Sequence, residues 1–451
     1  MADIKTVKVE KYNKDLRGCV TINYNAYPVK GTIVDELVEV EIHNNGKMKS
    51  ANLRKVVKPS KYRVKPLCPI YQKCGGCSLL HIDYNEQLRI KQEHVQNLFK
   101  EKLGISKGVL LTVGMENPCH YRNKNQIVFK NTNTKERIIS GFYQEGTHNV
   151  INFDTCYIQD EISDKIVKTI KKLMVEMKIN AFDEDRKTGL IRHILVKRSN
   201  QTKEVMVVFV IASTVFPGRT NFIKKLVSIH PEITTIIQNI NNRSTSAVLG
   251  ENETVLYGKG YIYDILLGKK FKISSKSFYQ INSVQTAKLY KLAIDAAKLN
   301  KEDVILDTYC GVGTIGIIAS DYVKQVLSVE IVKDAVNDAI DNAKTNNVKN
   351  IKFFCDDASN FMVNLAKNKQ HVDVVIMDPP RKGSDERFIN SVLKLAPKRI
   401  VYISCNPDTL TNDLKLISKD KYRISYIQPV DMFPHTNSIE TIVILNAVGK
   451  N

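Results

Sequence analysis

A cysteine directly after a β-like segment is the residue best suited to covalent chemistry. Cys405 lies in Ser404-Cys-Asn-Pro, at the end of the apolar run Ile400-Val-Tyr-Ile. A lone cysteine is usually a small buried hydrophobic residue. Here Asn406 and Pro407 favour a turn, and a thiol at the end of a strand could lose its proton and attack an electrophile. We therefore predict that Cys405 is a nucleophile.

A thiol nucleophile favours a pyrimidine substrate. The C5 carbon of a pyrimidine is too weakly nucleophilic to take a methyl group from a sulfonium unaided, but a thiolate added at C6 activates it. A base must then remove the C5 proton so that the thiol can leave. Glu440 precedes the last β-like run and is the predicted base, with His435 as its rival. A solvated loop carboxylate is the alternative interpretation of Glu440.

A glycine-rich turn predicts a nucleoside-binding site. Asp307-Thr-Tyr-Cys-Gly-Val-Gly-Thr-Ile-Gly follows a buried strand and opens a helix. Its glycines allow a tight turn and close approach to a ligand. Glu330 ends the next strand, 23 residues after Asp307, where a carboxylate can accept hydrogen bonds from ribose hydroxyls. The pattern also suits a dinucleotide, but further acidic residues after the strands favour S-adenosylmethionine: Asp356 or Asp357, and Asp378.

Two other segments could bind ligands. Asp378-Pro-Pro-Arg-Lys-Gly follows a predicted strand, and its prolines stiffen a loop that could form a pocket wall. A second group comprises Cys68, Cys74 and Cys77, separated by five and two residues, with Cys156 far downstream. Four thiolates suit zinc or a [4Fe-4S] cluster, and the spacing does not decide between them.

The predicted elements place these residues in an α/β protein. From residue 266 onward, five β-like runs alternate with helical stretches, which predicts a mostly parallel, doubly wound sheet with two closing strands. Residues 1–60 contain the β-like runs Val20–Asn23, Gly31–Val34 and Leu37–Ile42, which favour a small antiparallel barrel. Residues 61–265 mix an amphipathic helix with strands. We predict three domains: 1–60, 61–265 and 266–451.

Charge and composition indicate which class of partner the protein binds and in which cellular compartment it is found. The 451 residues carry a net charge of +20, and seven basic residues without an acidic one lie between Lys49 and Lys65, which favours RNA or DNA as a partner. No apolar run reaches the roughly 20 residues of a membrane helix, and no signal region begins the sequence. Nine cysteines, an odd and sparse number, favour a reducing cytoplasm.

Seven ordered motifs resemble those of S-adenosylmethionine-dependent RNA (uracil-C5) methyltransferases, most closely the bacterial type that acts on 23S ribosomal RNA. They are CPIYQKCGGC, YRNKNQ, SFYQIN, DTYCGVGTIG, MDPPRKG, SCNP and HTNSIE. The resemblance spans nearly the whole chain. It implies an N-terminal TRAM barrel that binds RNA, a central α+β domain with a [4Fe-4S] cluster, and a Rossmann-like methyltransferase domain.

Residue roles follow from the same resemblance. It implies Cys405 as the nucleophile and Glu440 as the base. The contacts implied for S-adenosylmethionine are Gln280, Tyr309, Glu330 and Asp378, with Asp357 as a further adenine contact. The implied cluster ligands are Cys68, Cys74, Cys77 and Cys156, with zinc as the alternative metal. Arg122 and Lys124 are implied RNA contacts, with ordinary surface charge as the alternative.

The expected substrate is an unpaired uridine of 23S ribosomal RNA, because the base must leave its stack to reach the thiol. The cluster is expected to be structural, since methyl transfer needs no electron, and the protein to be a monomer. Transfer RNA is an alternative substrate, and an RNA cytosine-C5 methyltransferase is an alternative enzyme. A ribosome assembly factor with a vestigial methyltransferase domain is the non-enzymatic alternative.

Overall fold

A computed structural model describes residues 3–45, 48–144, 147–243, 247–418 and 421–448, without the side chains of residues 44–49. The chain divides into two compact units. The first contains Met1–Glu116 and Gln428–Glu440, and the second contains Asn117–Ile427 and Thr441–Asn451. The predicted boundaries of three domains stay a prediction. Within the described parts of the chain, every helix is too short or too polar to span a lipid bilayer.

Five antiparallel strands form the sheet of the first unit, in the order β3-β2-β1-β4-β5. The strands are β1 Asp3–Tyr12, β2 Gly18–Ile22, β3 Asn25–Val29, β4 Leu37–Asn45 and β5 Met48–Lys58. Apolar side chains at alternate positions form its core, among them Val9, Val20 and Val38. This sheet bears out the predicted β-rich N-terminal region, whereas its closure into a TRAM barrel stays a prediction.

One predicted strand in this region is wrong. The segment Gly31–Val34 is a turn after β3. Gly31 has a φ of 81°, and the Thr32 hydroxyl donates to the Val29 carbonyl at 2.8 Å. The β-branched residues of this segment suggested a strand, but the left-handed glycine and the local hydrogen bond reverse the chain instead.

Arg63, in the basic run predicted to bind RNA, has a role in the fold; the side chain of Lys49, at the start of the run, lies outside the described part of the structure. Arg63 forms a bidentate ion pair with the buried carboxylate of Glu36: its Nε donates to Oε1 at 2.5 Å and its Nη2 donates to Oε2 at 2.6 Å. By contrast, Arg54, Lys55 and Lys58 on β5 are exposed. The exposed members therefore provide the positive surface, and Arg63 fixes the chain after β5.

Two helices complete the first unit: α1 Tyr71–Cys74 and α2 Tyr84–Leu103. The Asp83 side chain caps α2 by accepting from the N–H groups of Asn85 and Glu86. The predicted amphipathic helix is confirmed, with Ile90, Val95 and Phe99 buried. Because α2 and residues 428–440 belong to the same unit, this helix packs with a segment from the C-terminal part of the sequence.

The second unit begins with a mixed seven-stranded sheet, in the order β12-β11-β10-β9-β6-β7-β8. Its elements are β6 Lys124–Asn131, β7 Ile138–Tyr143, β8 Val150–Asn152, α3 Glu161–Glu176, β9 Ile191–Arg198, β10 Val205–Ile211, α4 Arg219–Ile229, β11 Ile233–Ile240 and β12 Asn252–Gly258. All seven residues of β10 are buried. A continuous apolar run is typical of such a buried, central strand.

A hairpin and a helix lead to the second large sheet. They are β13 Ile262–Leu266, β14 Lys269–Ile273 and α5 Ser283–Ala297. The elements of the sheet region are β15 Val304–Thr308, α6 Thr314–Ala319, a 3-10 turn at Ser320–Tyr322, β16 Gln325–Glu330, α7 Lys333–Thr345, β17 Ile351–Cys355, α8 Ala358–Lys367, β18 Val374–Met377, α9 Glu386–Leu395, β19 Arg399–Ser404, α10 Pro407–Ile417, β20 Tyr422–Val430 and β21 Glu440–Ala447.

This sheet has the order β17-β16-β15-β18-β19-β21-β20. The first five strands are parallel, and β21 runs antiparallel to β19. The predicted doubly wound α/β architecture and its two closing strands are therefore confirmed. The strand order reverses between β15 and β18, and ligands of such sheets bind at the carboxyl ends of the strands beside this reversal.

Candidate active site

The register of three parallel strands brings the predicted cofactor residues to one level. Thr308 of β15 pairs with Val329 of β16 and with Met377 of β18. The next residues on these three strands are Tyr309, Glu330 and Asp378. Three residues separated by up to 69 positions in the sequence therefore lie side by side beyond the carboxyl edge of the sheet.

The glycine-rich turn after β15 has the conformation that its sequence predicts. Tyr309, Gly311 and Gly313 all have positive φ, of 62°, 55° and 79°. A Cβ atom on Gly313 would lie 3.1 Å from Ala339 Cβ and from Phe353 Cε1, tight contacts that would require these neighbours to shift. Glycine is therefore needed both for the backbone conformation and for packing against the neighbouring elements.

Glu330 braces this turn. One of its carboxylate oxygens accepts from the Gly311 N–H at 3.0 Å, and the other accepts from the Val332 N–H at 2.9 Å. Each carboxylate oxygen has a second lone pair for a further donor. The arrangement leaves Glu330 able to accept hydrogen bonds from a ligand while it fixes the turn.

A pocket lies at this edge of the sheet. Its lining includes Phe278, Gln280, Tyr309, Gly311, Thr314 and Asp378. The structure thus brings together three of the four residues predicted to contact the cofactor. The fourth, Glu330, accepts a hydrogen bond from the Gly311 N–H, and Gly311 lines the pocket. Phe278 is 71% exposed at this site, which is unusual for a phenylalanine and leaves its ring available for contact.

Two carboxyl groups beside the pocket resist ionisation. Burial raises the pKa of Asp307 to about 8, and the charges of Asp378 and Glu330 add to the rise. Loss of hydration likewise raises the pKa of Asp378 to about 7. Because like charges and burial both favour the neutral acid, this site disfavours anionic groups and would be stabilised by a cationic ligand.

Cys405 lies just beyond β19, on a loop with well-defined contacts. Asn406 caps α10 by accepting from the Asp408 N–H at 3.1 Å, and its amide donates to the Arg381 carbonyl at 3.1 Å. Thr409 donates to the same carbonyl at 3.2 Å. The loop carrying the thiol is therefore fastened to the proline-rich loop after β18. Cys405 itself is partly exposed, so it is not sealed in the apolar core.

The two predicted bases, Glu440 and His435, are both buried, whereas loop residues are usually exposed to solvent. Glu440 is only 5% exposed, which rules out the solvated carboxylate considered as its alternative interpretation. It precedes Thr441, which pairs with Ser404 of β19. His435 is also buried, and its Nδ1 lies 3.2 Å from the Gln87 amide nitrogen. Its ring therefore has a contact within the first unit.

Asp357, the additional predicted adenine contact, has a local structural role. Its carboxylate accepts from the Asn360 N–H at 3.1 Å and caps α8. Asp356, the other candidate at this strand end, accepts from the Asp357 N–H at 2.8 Å. Both acids are engaged in the turn after β17, and a ligand contact for either one stays a prediction.

The predicted metal ligands are not shown to form a metal site. Cys68, Cys74, Cys77 and Cys156 are thiols outside disulfides, each partly exposed. Cys156 belongs to the second unit, whereas the other three belong to the first. Across the described ranges, no group of three or more His, Cys, Asp or Glu side chains is arranged to hold a metal ion. The donor chemistry of four thiols suits a soft metal.

The structure reveals two residues that the sequence analysis missed. Asn123, between the predicted RNA contacts Arg122 and Lys124, donates from its side chain to the Gln280 carbonyl at 3.0 Å. Lys197 donates to the carbonyls of the loop before Gln280, at 2.8 and 3.1 Å. The YRNKNQ motif could have drawn attention to Asn123. Lys197, on a buried strand, gave no signal.

The buried carboxyls predict an unusual pH dependence for the ligand-free protein. In the unfolded chain, aspartic acids ionise near pH 4, whereas Asp307 and Asp378 hold their protons to about 8 and 7. Between these values the folded protein binds more protons at these two carboxyl groups, so their contribution to the stability should fall as pH rises from about 4 to 8. Asp307→Asn should reduce this decrease of the free energy of unfolding with pH, as measured by urea denaturation at several pH values. Asp295→Asn, at an exposed position on α5, is the control and should leave it unchanged. An unchanged slope in Asp307→Asn would contradict the raised pKa.

Comparisons with known proteins agree with this geometry. A family model described as tRNA (Uracil-5-)-methyltransferase matches residues 250–448. An uncharacterized RNA methyltransferase from Staphylococcus aureus strain MSSA476 is 39% identical over 451 residues, covering 98% of both chains. A relative from Staphylococcus epidermidis strain ATCC 12228, also described as an uncharacterized RNA methyltransferase, is 40% identical over 444 residues, with 98% of this chain and 97% of that one covered.

A solved structure extends the similarity to the fold of both units. It is the Pyrococcus abyssi tRNA (uracil-54, C5)-methyltransferase in complex with S-adenosyl-L-homocysteine, with a TM-score of 0.79 and 27% identity, covering 98% of this chain and 100% of that chain. Together with the pocket at the carboxyl edge of the parallel sheet, these similarities show that the chain belongs to the family of S-adenosylmethionine-dependent RNA (uracil-5) methyltransferases.

Proposed function

We propose that this protein methylates C5 of a uridine in RNA through a transient bond between Cys405 and C6 of the base. The observation that carries the proposal is the position of Cys405, a partly exposed thiol at the same sheet edge as Tyr309, Glu330 and Asp378. Hydrogen bonds from Asn406 and Thr409 to the Arg381 carbonyl connect its loop to the loop after β18. The family and this placement together favour the covalent mechanism.

The pocket residues suit S-adenosylmethionine. Gln280 and Asp378 line it, Tyr309 forms part of its wall, and Glu330 offers carboxylate oxygens near the glycine turn. The raised pKa values of Asp307 and Asp378 indicate that a positive charge nearby would be favourable. Bound S-adenosylmethionine supplies an electrophilic methyl group.

The residues of the chain carry the rest of the reaction. The Cys405 thiolate adds to C6, and the electron pair of the C5–C6 bond becomes available at C5. After C5 is methylated, the Glu440 carboxylate takes the C5 proton, the double bond reforms, and the C6–S bond breaks to release the thiolate. The sulfur is neither oxidised nor reduced, so no electron donor is required.

We propose 23S ribosomal RNA as the substrate, from the resemblance of the seven motifs to that type. A flipped, unpaired uridine is the form of the base that could reach Cys405. The exposed basic residues of β5, together with Arg122 and Lys124, would contact the phosphate backbone. Transfer RNA is the second candidate, because the similar Pyrococcus abyssi structure is a tRNA methyltransferase. We expect the protein to act as a monomer.

Loss of the thiol should separate chemistry from binding. Cys405→Ala should reduce methyl transfer to an undetectable level and abolish the covalent protein–RNA adduct, while RNA binding changes by less than about twofold. The same substitution at Cys119, another partly exposed thiol, should retain activity. Methylation assays and denaturing gels measure both effects. Undiminished turnover by Cys405→Ala would contradict the covalent mechanism.

The RNA substrate can be identified by mapping modified nucleosides. A strain that lacks this protein should lose one or more 5-methyluridines from 23S ribosomal RNA, and the chain restored with Cys405→Ala should not replace them. Mass spectrometry of ribosomal and transfer RNA measures the loss. Disappearance of 5-methyluridine from transfer RNA alone would assign the second candidate and refute the ribosomal one.

We also propose that Cys68, Cys74, Cys77 and Cys156 hold a [4Fe-4S] cluster, as the motif resemblance implies, with a structural role only. Protein purified without oxygen should be brown and contain about four iron atoms per chain. Cys74→Ser should lower the iron content, whereas Cys119→Ser should not. Metal analysis that finds stoichiometric zinc and no iron would contradict the iron assignment.

A further inference from the structure

The buried face of helix α2 carries the polar side chains Gln87 and Lys91 among its apolar ones. Gln87 and Lys91 are both 0% exposed and lie four residues apart, hence on the same face. Burying an amide and an ammonium group costs free energy unless each finds a partner. The hydrogen-bond partners of Gln87 and Lys91 therefore show which segment the helix positions.

Lys91 holds one end of the 428–440 segment, the part of the first unit that leads to Glu440. Its Nζ lies 2.7 Å from Asp431 Oδ1, and neither side chain is exposed. The Tyr84 hydroxyl donates to Asp431 Oδ2 at 2.8 Å and accepts from the Met115 N–H at 2.9 Å. A buried ion pair stabilises a fold little more than apolar packing would, but separating its partners is costly because each would be left as an unpaired buried charge.

Gln87 holds the other end of the segment. Its side-chain oxygen accepts from the His435 N–H at 3.2 Å, and its amide donates to the Ile82 carbonyl at 2.8 Å and contacts His435 Nδ1 at 3.2 Å. His435 has a φ of 67°, and its carbonyl accepts from the Leu79 N–H at 2.9 Å. The left-handed bend at His435 is therefore fixed from three directions.

The connection from His435 to Glu440 is short, so the position of His435 restricts the position of Glu440. Only four residues separate them, and the first of these ends a hydrogen-bonded turn in which the Thr436 hydroxyl donates to the Phe433 carbonyl at 2.8 Å. The Thr436 hydroxyl also accepts from the Ser438 N–H at 3.2 Å. The chain between the bend at His435 and the carboxylate of Glu440 is therefore short and partly hydrogen-bonded.

We propose that Gln87 and Lys91 are positioning residues for Glu440. They set the place of the carboxylate through the backbone of the 428–440 segment and do not themselves contact substrate. This inference rests on the proposed function, in which Glu440 takes the C5 proton after methyl transfer. A displaced carboxylate would therefore slow the last step and leave the methylated RNA bonded to Cys405.

The test compares adduct accumulation in matched variants. Gln87→Ala should lower kcat by up to about 100-fold, since small misplacements of a reacting group have effects of that size. The KM for RNA should change by less than about twofold, and a methylated protein–RNA adduct should accumulate on denaturing gels. Lys91→Arg, which keeps the charge, should retain more activity than Lys91→Met. If Gln87→Ala does not fold, Gln87→Met preserves the volume of the side chain and replaces it in the same assay.

A matched control exists on the same helix. Gln92 and Gln96 donate to the carbonyls of Val109 and Ile105, at 3.2 and 2.9 Å, and have no bond to the 428–440 segment among the described contacts. Gln92→Ala should therefore accumulate no adduct. Slow turnover of Gln87→Ala without adduct, while Glu440→Gln does accumulate it, would overturn the positioning role alone. Absence of adduct from Glu440→Gln as well would overturn the proposed function.

Discussion

Parallel pairing of β15 with β16 and β18 is the constraint on which the site depends. The pairing of Thr308 with Val329 and Met377 fixes the level at which three strands end. A shift of one residue in either register would move Glu330 or Asp378 out of line with Tyr309 and turn alternate side chains to the other face. The apolar strands are thus responsible for the geometry of polar residues that are distant in sequence.

Much of this arrangement could be predicted because apolar periodicity and glycine placement are local signals. The five parallel strands, the glycine turn and the position of Cys405 directly after β19 all follow from short sequence patterns. The prediction at Gly31–Val34 failed since β-branched residues also occur in turns, where a left-handed glycine and one hydroxyl hydrogen bond decide the chain direction.

The residues that sequence reasoning missed are polar groups buried by tertiary contacts. Asn123, Lys197, Gln87 and Lys91 each look like ordinary surface residues in a one-dimensional pattern. Each of them has a partner more than 70 positions away in the chain, as in the contact of Lys197 with the Ser274 carbonyl and that of Lys91 with Asp431. Only the folded structure shows that these hydrogen bonds exist, because no local spacing encodes them.

The charge of the pocket also separates the two ligands that a glycine-rich turn allows. A dinucleotide would bring its anionic pyrophosphate toward the turn, close to Asp307, Asp378 and Glu330. The first two already have raised pKa values because of burial, and for Asp307 also because of its acidic neighbours, and a further negative charge would raise both pKa values more. A sulfonium has the opposite effect: it favours the ionised carboxylates and recovers part of the free energy lost when they were buried. The acidic strand ends therefore discriminate between ligands by charge, where the glycine pattern alone does not.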